Sequence, residues 1–89
     1  MLLLHQRPLF VPLFHAGAEL DLLVFKGGES VGIEVKYTEA PKTSKSMRAA
    51  IDDLQLKHLY IVYPGSKSYP LDKSITALSI KDLNNIFVV

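Results

Sequence analysis

A glycine pair between two apolar runs is the feature of this sequence that most restricts its fold. The segments Ala18 to Phe25 and Ser30 to Tyr37 are rich in branched and aromatic apolar residues, and Gly27-Gly28 lies between them. Tight hairpin turns that match the twist of their strands need positive φ angles, which glycine adopts without strain. The pattern therefore predicts a β-hairpin with its turn at the two glycines.

The predicted turn also sets the register of the hairpin. If Gly27 and Gly28 are the turn residues, Lys26 lies opposite Glu29 and every further pair follows outward from there. Because side chains alternate between the two faces of a strand, one face of this hairpin becomes apolar. A shift of one residue would break that face, so burial selects this register. The predicted apolar pairs are Leu20 with Val35, Leu22 with Ile33, and Val24 with Val31.

The opposite face of the predicted hairpin carries charged residues. On it Asp21 lies opposite Glu34, and Glu19 lies opposite Lys36. Opposed carboxylates repel one another, and burial raises their pKa values unless a cation compensates them. Lys36 is one compensating cation, and a divalent ion that prefers oxygen ligands, Mg²⁺ or Mn²⁺, is another. The pattern predicts a metal site formed by Asp21, Glu34 and Glu19, with Lys36 beside it.

These residue types suit the hydrolysis of a phosphodiester. A metal ion would activate water and neutralise charge on the phosphate, and Lys36 would orient the water or hold the phosphate. The alternative interpretation is a solvated sheet face with cross-strand ion pairs, each worth about 0.2–1 kcal/mol. The residues by themselves leave both interpretations open.

The remaining elements follow from periodicity and turn residues. Residues 1–14 are apolar but contain Pro8 and Pro12, so a strand there belongs at a sheet edge. The spacing of apolar residues predicts a crossover helix from Thr43 to Leu54, with Thr43 or Ser44 as its N-cap. The run Leu59 to Tyr63 predicts a central strand that is buried on both faces.

The C-terminal third continues this α/β pattern. We expect a loop at Ser66 to Pro70, a strand at Ile75 to Ile80, a short helix at Lys81 to Asn85, and a packed apolar tail from Ile86. The helical stripe formed by Met47, Ala50, Ile51 and Leu54 is expected to pack in the core.

Composition limits the classes of function. The 89 residues suit one domain, and a net charge of +1 gives no general attraction to nucleic acid. The absence of cysteine excludes disulfides and thiolate sites, and no apolar run is long enough to span a bilayer, so we expect a cytoplasmic protein. A basic helix face is a candidate contact for DNA, although such faces are more often merely solvated. It is formed by Lys42, Lys45 and Arg48.

Two motifs together resemble a known family. The segment from Gly17 to Leu23, followed by Gly32-Ile33-Glu34-Val35-Lys36, is similar to the uncharacterised C-terminal domain that follows the P-loop module in many bacterial and archaeal AAA-type ATPases. That domain is classed with the PD-(D/E)xK nuclease superfamily, and the resemblance covers roughly residues 14–83. It implies that Asp21 and Glu34 bind a metal ion and that Lys36 is the catalytic lysine. It also implies a restriction-endonuclease-like mixed sheet.

The chain departs from the family pattern in its N-terminal part. The superfamily core opens with a helix carrying another acid, whereas residues 1–14 of this chain contain two prolines, so we expect that helix to be missing and Glu19 to substitute for its acid. No ATPase module is present, which suggests a stand-alone copy or a fragment of a longer protein. Apolar surface exposed in this way would favour self-association. Two hypotheses follow, namely a Mg²⁺-dependent nuclease acting on DNA and a non-catalytic assembly or nucleic-acid-binding module of the same fold.

Overall fold

The computed structural model describes residues 8–13 and 20–86, which form an α/β structure with one mixed sheet and one α-helix. The six strands lie in the order β1-β2-β3-β4-β6-β5. Strands β3, β4 and β6 run parallel to one another, whereas β1, β2 and β5 pair antiparallel with their neighbours. The strands are β1 (Leu9–Pro12), β2 (Leu22–Lys26), β3 (Glu29–Val35), β4 (His58–Tyr63), β5 (Tyr69–Asp72) and β6 (Ile75–Ser79).

The edge and central strands fall where the sequence predicts them. Strand β1 lies at one edge of the sheet and ends at Pro12, since a proline cannot donate a hydrogen bond to a further neighbour. Strand β4 lies between two parallel strands and is buried along most of its length, which confirms the predicted central strand.

Helix α1 (Lys45–Leu54) provides the crossover between the parallel strands β3 and β4. The Ser44 hydroxyl accepts a hydrogen bond from the Met47 amide at 3.1 Å, so Ser44 rather than Thr43 is the N-cap. Met47 is 1% exposed. Leu54 was predicted to pack in the core but is exposed, because the helix ends there and the chain turns away at Gln55 in a left-handed conformation.

The two faces of the sheet have separate apolar clusters. Helix α1 covers one face, where it packs on residues of β2, β4 and β6: the cluster contains Leu20, Leu23, Met47, Leu56, Leu59, Ile61 and Ile75. The 3₁₀ helix Ile80–Ile86 covers part of the other face, where Leu83 and Ile86 pack against Val24, Ile33, Val62 and Leu78. The predicted short C-terminal helix is therefore present as a 3₁₀ helix.

The β2–β3 hairpin confirms the predicted register over its five paired positions. Lys26 pairs with Glu29, and the pairing continues without a shift to Leu22 and Ile33. Gly27 and Gly28 have φ angles of 59° and 83°, as the two-residue turn requires.

Beyond Leu22 the predicted alternation is wrong. Leu20 was expected on the same face as Leu22 and Val24, but it lies in the cluster on the helix-covered face. Its predicted partner Val35 is 58% exposed. The reason is an irregularity at Asp21, whose amide donates to the carbonyl of Ile33 at 2.9 Å and takes the chain out of the regular ladder.

A strand occupies part of a segment predicted as loop. Tyr69 and Pro70 belong to β5, an edge strand that pairs antiparallel with β6 and has an irregularity between Pro70 and Asp72. The proline and the short length hide such an edge strand from periodicity arguments.

Candidate functional site

Asp21 lies at the open end of the hairpin, one residue before β2. Its carboxylate Oδ2 accepts a hydrogen bond from the Val35 amide at 2.7 Å. Its backbone carbonyl accepts a hydrogen bond from the Leu13 amide at 2.9 Å. The side chain therefore takes the place of a backbone acceptor at the end of β3, which fixes the carboxylate beside Glu34 while leaving Asp21 accessible to solvent.

Glu34 is the buried acid of the site. It is 6% exposed, and its pKa is raised from the usual 4.5 to about 7, mainly because burial removes water from the carboxylate and also because Asp21 is close by. Lys36 opposes this shift, with its Nζ 3.3 Å from Glu34 Oε2. A buried carboxylate with a perturbed pKa and a carboxylate neighbour is the kind of group found at functional sites.

The sequence places Glu34 and Lys36 on one side because they are two residues apart at the end of a strand. The Lys36 amide donates to the Val62 carbonyl at 2.9 Å, so the parallel pairing of β3 with β4 extends past Val35 and holds the lysine in line. These residues lie at the carboxyl ends of parallel strands, where open α/β sheets bind their ligands.

Three of the four predicted site residues come together. Asp21, Glu34 and Lys36 form one cluster, but Asp21 reaches it from a bend before β2 and not from a strand position directly opposite Glu34. Glu19 lies outside the described residues. Within residues 8–13 and 20–86, no group of three or more histidine, aspartate or glutamate residues could hold a metal ion.

The predicted basic helix face contains one residue that is already paired. The Arg48 guanidinium binds the carboxylate of Asp72 and donates to Thr43 Oγ1 at 3.0 Å. The hydrogen bond from Arg48 is the main reason that the pKa of Asp72 is lowered. Lys42 and Lys45 are exposed. A role for these three residues in nucleic-acid binding stays a prediction.

Among the histidines, His58 belongs to the fold. Its Nε2 lies 2.7 Å from Thr76 Oγ1, and burial lowers its pKa. Its ring lies 4.7 Å from that of Tyr60. These contacts account for His58 as a satisfied, partly buried side chain.

Sequence reasoning missed an apolar pocket beside the acidic cluster. It has a volume of about 250 Å³, and Lys36 forms one wall. The other walls are Val35, Tyr37, Val62, Tyr63, Pro64 and Ile80. The exposed aromatic residue directly after the Glu-x-Lys motif was the only signal of this pocket in the sequence, and such residues are too common to interpret alone.

No helix in the described part of the chain has both the length and the apolar character needed to cross a membrane. The cytoplasmic location stays a prediction.

Comparisons with known proteins place the chain in a family. Residues 10–83 match the family described as Domain of unknown function (DUF4143). Two uncharacterised proteins, Mb2031c of Mycobacterium bovis and Rv2008c of Mycobacterium tuberculosis, are each 45% identical to this chain over 76 residues. Those residues are 85% of this chain but only 17% of each relative. No solved structure matches it. The chain belongs to the DUF4143 family.

Proposed function

We propose that Asp21, Glu34 and Lys36 form a metal-dependent site for phosphodiester hydrolysis, with DNA as the substrate. The observation that carries this proposal is a buried Glu34 beside Asp21, with the Lys36 ammonium 3.3 Å from its carboxylate. Two acids and a lysine at one end of a strand are the functional set that the resemblance to PD-(D/E)xK nucleases implies.

The two carboxylates are suitable ligands for Mg²⁺ or Mn²⁺. Mg²⁺ is commonly bound by only one or two carboxylates, with water and substrate oxygens completing its shell, so a third protein ligand is not required. The raised pKa of Glu34 also fits, because a cation between the two carboxylates would favour the ionised form that burial and Asp21 now oppose. Glu19 is the additional ligand that the sequence suggests.

Each residue of the cluster would have a separate role in the reaction. When bound, the metal ion lowers the pKa of a water molecule and withdraws charge from the phosphate. Asp21 and Glu34 would hold the ion at the end of β3. Lys36 would donate to a phosphate oxygen or orient the attacking water. The oxygen of the attacking water would form a new bond to phosphorus and its proton would pass to solvent, while an ester P–O bond would break and the leaving oxygen would take up a proton from another water molecule.

The part of the proposal that concerns an ATPase module comes from the family and from the length of its members. DUF4143 domains are commonly found with AAA ATPases. The chain spans 17% of the length of its mycobacterial relatives. We therefore include an ATPase module in relatives in the proposal. The proposal also includes a restriction-endonuclease-like fold, with which the mixed sheet and the crossover helix are consistent.

A second candidate function is assembly without catalysis. Each charged group has a structural partner, since Asp21 accepts a hydrogen bond from a backbone amide and Glu34 forms an ion pair with Lys36. Leu9 and Phe25 pair across β1 and β2 and are 61% and 40% exposed, so apolar surface at this sheet edge is available for self-association. Under this alternative the carboxylates would be relics.

The two candidates are separated by metal-dependent stability. We expect Mg²⁺ or Mn²⁺ to raise the thermal unfolding midpoint of the wild-type protein at pH 8, because an ion that binds only the folded state stabilises it. The double variant Asp21→Asn, Glu34→Gln should show no such rise. Asp53→Asn removes an exposed acid from α1 and should respond to metal like the wild type.

Cleavage is tested next on plasmid, single-stranded and branched DNA. The wild-type protein should cut at least one substrate with Mg²⁺ or Mn²⁺, and Lys36→Met should lose cleavage while keeping the metal-dependent rise in stability. A wild-type protein whose unfolding midpoint does not respond to either metal would exclude the enzyme and leave the assembly module.

A further inference from the structure

The apolar pocket beside Lys36 suggests what part of a substrate lies next to the acidic cluster. We infer that it binds one unpaired nucleobase, so that the site selects nucleic acid with an unstacked base next to the phosphate held by Lys36. This inference rests on the proposed function, since it assumes that a phosphate approaches Lys36.

Lys36 belongs both to the lining of the pocket and to the acidic cluster. Lys36 forms one wall of the pocket and also lies 3.3 Å from Glu34 Oε2. Of the described residues that line the pocket, only Lys36 is charged. A nucleotide matches this arrangement, because its phosphate would meet the ammonium group while its uncharged, planar base would meet the apolar walls.

The size of the pocket favours a single base. Its volume of about 250 Å³ is below the roughly 300–1,000 Å³ of pockets that enclose whole drug-sized ligands. It would therefore enclose one ring system and leave the sugar and phosphate outside, at the rim formed by Lys36.

Tyr37 provides the surface on which a base would stack. Its side chain is 94% exposed, although it is a large ring only two residues after the end of β3. Val35 and Ile80, on the same pocket, are 58% and 53% exposed. Aromatic side chains stack on bases regardless of sequence, since every base has a π-face. A base inserted here would cover all three apolar groups.

Tyr63, which also lines the pocket, is held in place by its neighbours. The Tyr63 hydroxyl donates a hydrogen bond to the Lys67 carbonyl, and its ring lies so close to Gly65 that any Cβ there would collide with it. The carbonyl of Gly65 accepts a hydrogen bond from Ser79 Oγ at 2.7 Å. Tyr69 packs edge-on against Tyr63 with ring centroids 6.1 Å apart. A preformed wall of this kind binds a ligand without first having to be ordered.

The test measures binding without cleavage. The probes are a short single-stranded DNA carrying 2-aminopurine and the same sequence as a blunt duplex, both in buffer with EDTA. We expect the single strand to bind about tenfold tighter than the duplex and the 2-aminopurine fluorescence to fall as the base stacks. Tyr37→Ala should weaken single-strand binding about tenfold, in line with base–aromatic stacking, and abolish the fluorescence change.

Two controls separate stacking from general effects. Tyr37→Phe should keep both affinity and quenching, because the ring is retained. Phe10→Ala removes another exposed aromatic ring, on β1, and should behave like the wild type. Equal binding of single strand and duplex, equal binding by Tyr37→Ala, or no binding at all would each overturn the inference.

The outcome is distinguishable from that of the proposed function. If the protein cleaves DNA in a metal-dependent way but Tyr37→Ala cleaves and binds normally, the base pocket is wrong and the nuclease stands. If the single strand binds through Tyr37 but no metal response or cleavage is found, the hydrolytic function is wrong and the pocket belongs to a nucleic-acid-binding module.

Discussion

The two ends of the β2–β3 hairpin are built in different ways. At the turn end, five residue pairs follow one register and two glycines with positive φ close the loop. At the open end, a side chain replaces a backbone acceptor, since the Asp21 carboxylate bonds to the Val35 amide. The regular end is determined by local sequence, whereas the irregular end holds the charged cluster.

The irregular end depends on packing from distant parts of the chain. Leu20 crosses to the helix-covered face because space is open there above Gly32. A Cβ at position 32 would lie 2.9 Å from Leu20 Cδ2 and 2.9 Å from Leu56 Cδ1. Burying Leu20 against the helix therefore stabilises the bend at Asp21, and the bend aims the carboxylate at the end of β3. Functional groups positioned in this way break the alternation of a regular strand.

The largest expected effect concerns Leu20 and Val35, which would lie opposite each other on one buried face if the regular register continued. Leu20→Ala should lower the free energy of unfolding by about 3 kcal/mol, because Leu20 is 2% exposed and its loss leaves a cavity. Val35→Ala should change it by less than about 1 kcal/mol, because Val35 is 58% exposed. Urea denaturation of both variants measures the difference. Similar losses in the two variants would mean that the strand alternates regularly to its end.

The second prediction concerns the buried acid Glu34 and the dependence of stability on pH. Glu34→Gln should stabilise the protein by about 2–3 kcal/mol at pH 8, because the glutamine does not have to carry a buried charge. The folded pKa of Glu34, about 7, lies above its usual value of 4.5. Between these values the folded state binds more protons than the unfolded state, so the contribution of Glu34 to stability falls as pH rises and is constant above pH 7.

The stability of wild type and Glu34→Gln should therefore be similar at pH 4 and diverge up to pH 7. Chemical denaturation at several pH values measures this. A wild-type profile parallel to that of Glu34→Gln would show that Glu34 titrates normally.

The comparison also explains what the sequence could predict. The glycine turn, the hairpin register from Leu22 to Lys26, the Ser44-capped helix and the central strand all depend on local patterns or on burial of a whole element, and they are confirmed. The face of Leu20 and the bend at Asp21 depend on contacts with Gly32 and Leu56, which are distant in sequence. The cluster of Asp21, Glu34 and Lys36 was predicted from the regular register although Asp21 reaches it by a different path. The pocket could not be predicted, because it forms only where the ends of three parallel strands lie side by side.

The smallest effect tests whether the two ends are independent. Gly27→Ala should cost about 1 kcal/mol, because alanine is strained at a φ of 59°. Gly27→Asn should cost clearly less, since asparagine tolerates this conformation and Asn-Gly is a favoured hairpin turn. A Cβ at position 27 meets no atom within 4 Å, so neither variant introduces a clash.

Because Gly27 and Glu34 are separated by roughly 20 Å of strand, the pKa of Glu34, followed by carboxyl NMR, should be the same in both variants. A shift of that pKa in Gly27→Ala would mean that strain at the turn reaches the charged cluster, and that the hairpin behaves as one unit instead of two.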